Sequence, residues 1–121
     1  EGASEFFNGG VTAYLSNAKK DVLQIPLSVL QENPIVSEAV AAAMASASKA
    51  LFHSDYALST TGYAGPGNED SEIPVGTICI GLATPTSVIT KTFQLGKNRD
   101  RNIRMASLHA LNLLRLNILN N

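Results

Sequence analysis

The sequence has no tryptophan, a single cysteine, two histidines and almost no excess of either charge. Each shortage excludes a class of chemistry. One cysteine, Cys79, permits neither an internal disulfide nor a cysteine-based zinc cluster. It lies in the apolar run Val75 to Ala83, where a free thiol reads as a buried, unreactive core residue. A reducing, cytoplasmic setting is compatible with that and is the expected one. His53 and His109 stand apart, without the spacing of a metal pair, and read as surface or helix-end residues. Neither a metal nor another cofactor is expected. The net charge of -1 offers no basic face to nucleic acid. No apolar run approaches the ~18–20 residues of a membrane span.

What remains is an ordinary globular mixture, 45% hydrophobic and 16% charged, over 121 residues. That length fits one domain burying roughly two thirds of its unfolded surface. Phe6 to Leu15 carries strand-forming residues interrupted by Gly9-Gly10, which marks a bulge or a close backbone approach. A short helix is expected over "SNAKKDVLQI", capped by Ser16 and limited by Pro26. "PLSVLQENP" reads as a turn of helix and a loop, broken at Asn33-Pro34. From Ser37 a helix places Val40, Met44, Ala47 and Leu51 on one face. Its alanines permit close packing against a sheet, Ser37 caps it, and Glu38 suits the positive end of its dipole.

Tyr56 to Gly62 is a short strand entering a glycine-rich loop. Val75 to Ala83 is apolar on both faces, the pattern of a central strand, and "SVITKTFQL" forms a hairpin with it through Pro85-Thr86. The last helix starts near Arg99, with Ile103, Ala106, Ala110, Leu111, Leu114 and Ile118 as its buried stripe. This order of elements implies a layered α/β domain with a mixed sheet.

Three groups of residues suggest chemistry. The stretch "GYAGPGNEDSEIPVGT" begins at Gly62, and its Gly-Pro-Gly suits a type II turn through Pro66 and Gly67. Successive N–H groups in such a loop cradle an anion or an oxyanion, although the lysine of a phosphate-binding P-loop is missing. Glycine content alone favours an ordinary surface turn; the position after a strand end strengthens the alternative, a ligand loop. Tyr14 falls near a strand end and Lys19 in the first turn of the following helix, where the dipole and partial desolvation would lower its pKa toward that of a general base. A solvated lysine beside Lys20 and a packing tyrosine are the alternatives. Arg99, Arg101 and Arg104 bracket the start of the last helix, suited either to a nucleotide phosphate or to pairing with Asp100 and solvent.

In order and spacing, "GASEFFNGGVTAY", "NAK", "IVSEAVA", "TTGYAGPG", "PVGTICIGLA" and "NRDRNIR" resemble the C-terminal domain of the CinA family of competence/damage-inducible proteins, from Gly2 to about Leu119. The resemblance implies a three-layer α/β/α domain and an activity, the hydrolysis of nicotinamide mononucleotide to nicotinate mononucleotide and ammonia in pyridine nucleotide salvage. It implies a serine nucleophile assisted by a lysine and a tyrosine, a convergent variant of triad logic. Lys19 matches the family's lysine and Tyr14 its tyrosine, as catalytic residues. Thr61, Gly62, Ala64, Gly65 and Gly67 match a loop that helps form the substrate pocket. Arg99 and Arg104 fall in the family's basic segment, which suggests phosphate binding.

Two departures accompany the match. The family's serine lies in an upstream "ESxTGG"-type segment without a counterpart here, and Ser4 aligns instead with the ordinary "GAS". Residues 1–121 are therefore expected to form a CinA C-terminal-like amidase domain incomplete at its N-terminus, inactive by itself, with a sheet edge uncovered. Lys97 stands where the family often has an acidic residue. The partners implied are a small-molecule nucleotide and a second copy of the chain, with no nucleic acid and no membrane. A non-catalytic nucleotide-binding or regulatory module is the alternative reading, and a structural domain pairing through its exposed edge is a third.

Overall fold

The computed structural model describes residues 1–66 and 72–120. A 3-10 turn (Ala3–Glu5) leads through an extended segment to helices α1 (Ser16–Asp21), α2 (Leu27–Glu32) and α3 (Glu38–Phe52). Strands β1 (Ala57–Gly62), β2 (Thr77–Ala83) and β3 (Val88–Gln94) follow, and α4 (Arg99–Leu119) closes the described chain. The strands form one sheet in the order β1-β2-β3, with Thr60 opposite Ile80 and Ile80 opposite Lys91.

The unbroken apolar run of β2 follows from its position. Its alternate side chains Ile78, Ile80 and Leu82 pack with Ala106, Ala110 and Leu113 of α4. The opposite face meets α3, whose Ala41 and Ala45 are fully buried. Helix, sheet and helix make the expected three-layer α/β/α domain. A second core joins Leu23 and Ile25, after α1, to Val40 and Met44 of α3. Ser37 caps α3 as expected, its Oγ accepting from the Val40 N–H at 3.2 Å.

Several expectations are corrected. The sheet is antiparallel throughout the described residues, not mixed. Phe6 to Leu15 forms no strand there: Asn8 Nδ2 donates to Phe52 O and Gly9 lies against the Phe52 ring, so the segment crosses the end of α3 rather than pairing with β1. A Cβ at Gly9 would stand 2.6 Å from that ring, which explains the glycine. Ser16 is the first residue of α1 and not its cap; Leu15 takes that position without a side-chain hydrogen bond.

The apolar stripe of α4 is narrower than its sequence suggests. Ala106, Ala110 and Leu113 are buried, while Ile103, Leu111 and Ile118 are about half exposed. A helix of 21 residues outruns the three-stranded sheet beneath it. Leu51 of α3 is exposed in the same way. His109 is neither a surface nor a helix-end residue: it stacks on Phe93 with ring centroids 4.1 Å apart. His53 does end α3, in the left-handed region.

Candidate functional site

The α3 side of β1 holds a groove of about 360 Å³. Val11 to Tyr14 form one wall and Leu58 to Gly62 the other, with Lys19 and Met44 between them. Four of the residues singled out in the sequence therefore meet here: Tyr14, Lys19, Thr61 and Gly62.

Lys19 is the fourth residue of a six-residue helix, with its backbone N–H on Leu15 O. It therefore does not sit at the positive end of a dipole, as its sequence position suggested. Its pKa is nonetheless lowered, and the cause is burial. The side chain is only 4% exposed, and Nζ donates to Ala13 O at 2.9 Å. Removing an ammonium from water penalises its charged form, which moves the group toward a neutral amine. Tyr14 is the opposite case, 87% exposed at the rim.

Thr61 and Ser59 are tied into the fold. Thr61 Oγ1 donates to Ile35 O at 2.9 Å and Ser59 Oγ to Ala41 O, so both hydroxyl protons are engaged. A Cβ at Gly62 would have to displace the Ile78 Cδ1 methyl. The glycine requirement is thus partly one of packing, beyond any approach by a ligand.

The glycine loop continues away from this groove. Ala64 and Gly65 present their carbonyls to α4: Asn102 Nδ2 donates to Ala64 O at 3.1 Å, and Arg99 Nη1 to Gly65 O at 2.6 Å. Gly65 has φ +102°, a conformation that a residue with a side chain rarely adopts. Gly67, and with it the turn expected across Pro66 and Gly67, lies outside the described residues. Arg99 thus holds the loop through one of its N–H groups. Arg104 is exposed farther along α4, and neither arginine lines the Lys19 groove.

Asn102 was missed in the sequence. It is fully buried, its Nδ2 also donates to Gly96 O at 2.9 Å, and its Oδ1 has no partner among the described residues. A buried acceptor left without a hydrogen bond costs about 1–3 kcal/mol, a penalty of the same size as the net gain from the two donated bonds. Its spacing was the available signal: positions 102, 106, 110 and 113 share one helical face, and a lone asparagine on an apolar stripe invites the question of what it holds.

The comparisons with known proteins agree with this architecture. A family model described as the CinA C-terminal domain matches residues 1–118. A CinA-like protein of Cytophaga hutchinsonii is 40% identical over 114 residues, covering 94% of this chain and 27% of its own length. One of Flavobacterium psychrophilum is 36% identical over 120 residues, covering 99% and 29%. The chain thus spans less than a third of the curated relatives it matches. Among solved structures, the competence damage-inducible protein A (ComA) of Klebsiella pneumoniae superposes with a TM-score of 0.82 at 30% identity, over 87% of this chain and 65% of that one. A competence or damage-inducible protein of Enterobacter asburiae reaches a TM-score of 0.88 at 24% identity, over 94% and 72%, a likeness of fold alone.

Proposed function

We infer the function from one premise: the chain belongs to the CinA C-terminal domain family. On that footing, we propose that it is the amidase domain of a nicotinamide mononucleotide deamidase, a hydrolase acting in pyridine nucleotide salvage. The observation that carries this reading is the buried Lys19 amine, anchored on Ala13 O and shifted toward neutrality, in one groove with Tyr14, Thr61 and Gly62.

In the proposed reaction a serine hydroxyl, supplied from outside residues 1–121, attacks the carboxamide carbon while neutral Lys19 takes its proton. Negative charge gathers on the carbonyl oxygen, and backbone N–H groups of the glycine loop offset it. The C–N bond then breaks. The proton passes from Lys19 to the leaving nitrogen with Tyr14 assisting, ammonia departs, and an acyl-serine ester remains. Water, deprotonated by the same amine, cleaves the ester to nicotinate mononucleotide and restores the serine. Among the described residues no arginine lines the Lys19 groove, so phosphate binding by Arg99 and Arg104, which lie on α4 outside it, is not part of the proposed mechanism. The working unit is assigned as a cytoplasmic homodimer.

One observation favours a second reading, a non-catalytic nucleotide-binding module. Among the described residues no hydroxyl hydrogen-bonds to Lys19 Nζ, and the Ser59 and Thr61 hydroxyls serve the fold. Product analysis of the full-length protein with nicotinamide mononucleotide separates the two. One ammonia and one nicotinate mononucleotide per substrate consumed is the expected result. Saturable binding without product would establish the second reading instead.

A further inference from the structure

We propose that Asn102 is a positioning residue for the glycine loop, resting on the amidase reading above. Its carboxamide fixes the peptide between Ala64 and Gly65 so that the Gly65 N–H is turned toward the side of the sheet that carries the Lys19 groove.

The inference starts from the geometry of one side chain. Asn102 is fully buried on α4 and its Nδ2 bridges two main-chain carbonyls, those of Ala64 and Gly96. Rotating the amide by half a turn would set Oδ1 against both oxygens, so the orientation is fixed by the two acceptors it serves. The side chain therefore ties the glycine loop to the end of the β2–β3 hairpin, two segments far apart in sequence. Arg99, one turn earlier, takes the next carbonyl, Gly65 O.

The Ala64–Gly65 peptide is trans, since the described chain has its only cis bond at Gly65-Pro66. In a trans peptide the C=O and N–H point in opposite directions. With Ala64 O held toward α4, the Gly65 N–H points away from α4. The groove with Lys19 lies on that other side, where Ser59 and Thr61 of β1 meet the segment before α3 and α3 itself. The following peptide adds no second donor, because Pro66 has no N–H. Gly65 is itself buried and outside the lining of the Lys19 groove, so what it offers is one N–H of defined direction on the groove's side of the sheet, the property an oxyanion donor needs. Asn102 touches neither the groove nor a substrate, and it acts through the loop. The unpartnered Oδ1 fits this role: the position keeps a carboxamide for its two donated bonds, although its acceptor finds no partner among the described residues.

The test compares Asn102→Ala and Asn102→Ser with wild type in the full-length protein, by steady-state kinetics on nicotinamide mononucleotide and by hydrogen exchange. Alanine removes both donated bonds and serine keeps one donor. For Asn102→Ala we expect kcat to fall about 10²-fold, the scale of a misplaced reacting group, with KM changed less than about threefold. Exchange should rise at Tyr63 to Gly65 while Ala106 to Leu113 stay protected, and Asn102→Ser should fall between alanine and wild type. If the alanine variant does not fold, the serine variant reads the same two quantities. An unchanged kcat overturns the proposal, and so does exchange that rises equally along α4 and the loop. If wild type releases no ammonia, the amidase reading fails, and the contrast in exchange alone decides whether Asn102 holds the loop.

Discussion

Lys19 shows how much a single residue's environment decides. Of the two causes the sequence suggested for a lowered Lys19 pKa, desolvation holds and the helix dipole does not. A six-residue helix has no separate first turn to lend a dipole, whereas Lys19 is only 4% exposed, in the groove that Leu23 and Met44 of the second core also line. The extent of burial comes from contacts made by residues distant in sequence, so partial desolvation was legible from the sequence but near-complete burial of the side chain was not. The sign of its effect can be followed. A lysine pKa below the usual 10.5 means that the folded state disfavours the proton. Stability is therefore lowest below the folded pKa and recovers as pH rises through it toward the unfolded value. The neutral amine that the proposed mechanism requires grows in over the same range. The alkaline rise of kcat/KM should accordingly titrate below 10.5. A rise centred at or above that value would contradict the assignment of Lys19 as base.

Elements are held together by contacts that binary patterning announces only in part. The helix at 38–52, the hairpin at 77–94 and the long last helix were all legible, because periodicity and turn chemistry agree along each of them. The extended segment before α1 was not legible, since strand-forming residues need a partner edge and here Phe52 competes for the backbone. Close packing of α3 on the sheet depends on Gly81, where a Cβ would lie 2.7 Å from Ser59 Oγ and 2.8 Å from the Ala41 carbonyl carbon. Gly81→Ala should cost about 1–3 kcal/mol by urea denaturation, and a variant as stable as wild type would show that the layers have room to part.

A second link joins α3 to β3. Thr90 and Thr92 donate to the two carboxylate oxygens of Glu38, and these bonds lower its pKa. A carboxylate with a depressed folded pKa contributes stability that is present above its unfolded value and lost as pH falls through the folded one. Glu38→Gln should flatten that acid-side loss in thermal melts taken across the carboxylate range. A variant with the same acid dependence as wild type would remove Glu38 from the account.

The whole molecule has a closed centre and an open periphery. Phe6, Phe7, Leu108, Leu111 and Leu119 are each more than half exposed, and a groove of about 710 Å³ runs between Phe6, Phe7, Phe52, Tyr56, Leu111 and Ile118. Apolar surface of this kind is what the proposed homodimer would cover. The proposed homodimer predicts a sedimentation coefficient of two copies for the full-length protein at micromolar concentration, and a monomer there would contradict it. No helix of the described residues is long and apolar enough to cross a membrane. The layered α/β character was legible in the pattern of elements and the three layers in the family resemblance, but the antiparallel sheet was not, because pairing direction depends on which segments reach the edge of β1.

The central claim is that Lys19 serves amide hydrolysis. It is tested most directly by ammonia release from nicotinamide mononucleotide, measured for the full-length protein beside its Lys19→Met variant. Methionine matches the buried stem of lysine and removes only its basic nitrogen, so the fold should persist. The account predicts steady turnover by wild type and a loss of at least about 10²-fold in the variant. Equal turnover by the two proteins would contradict it.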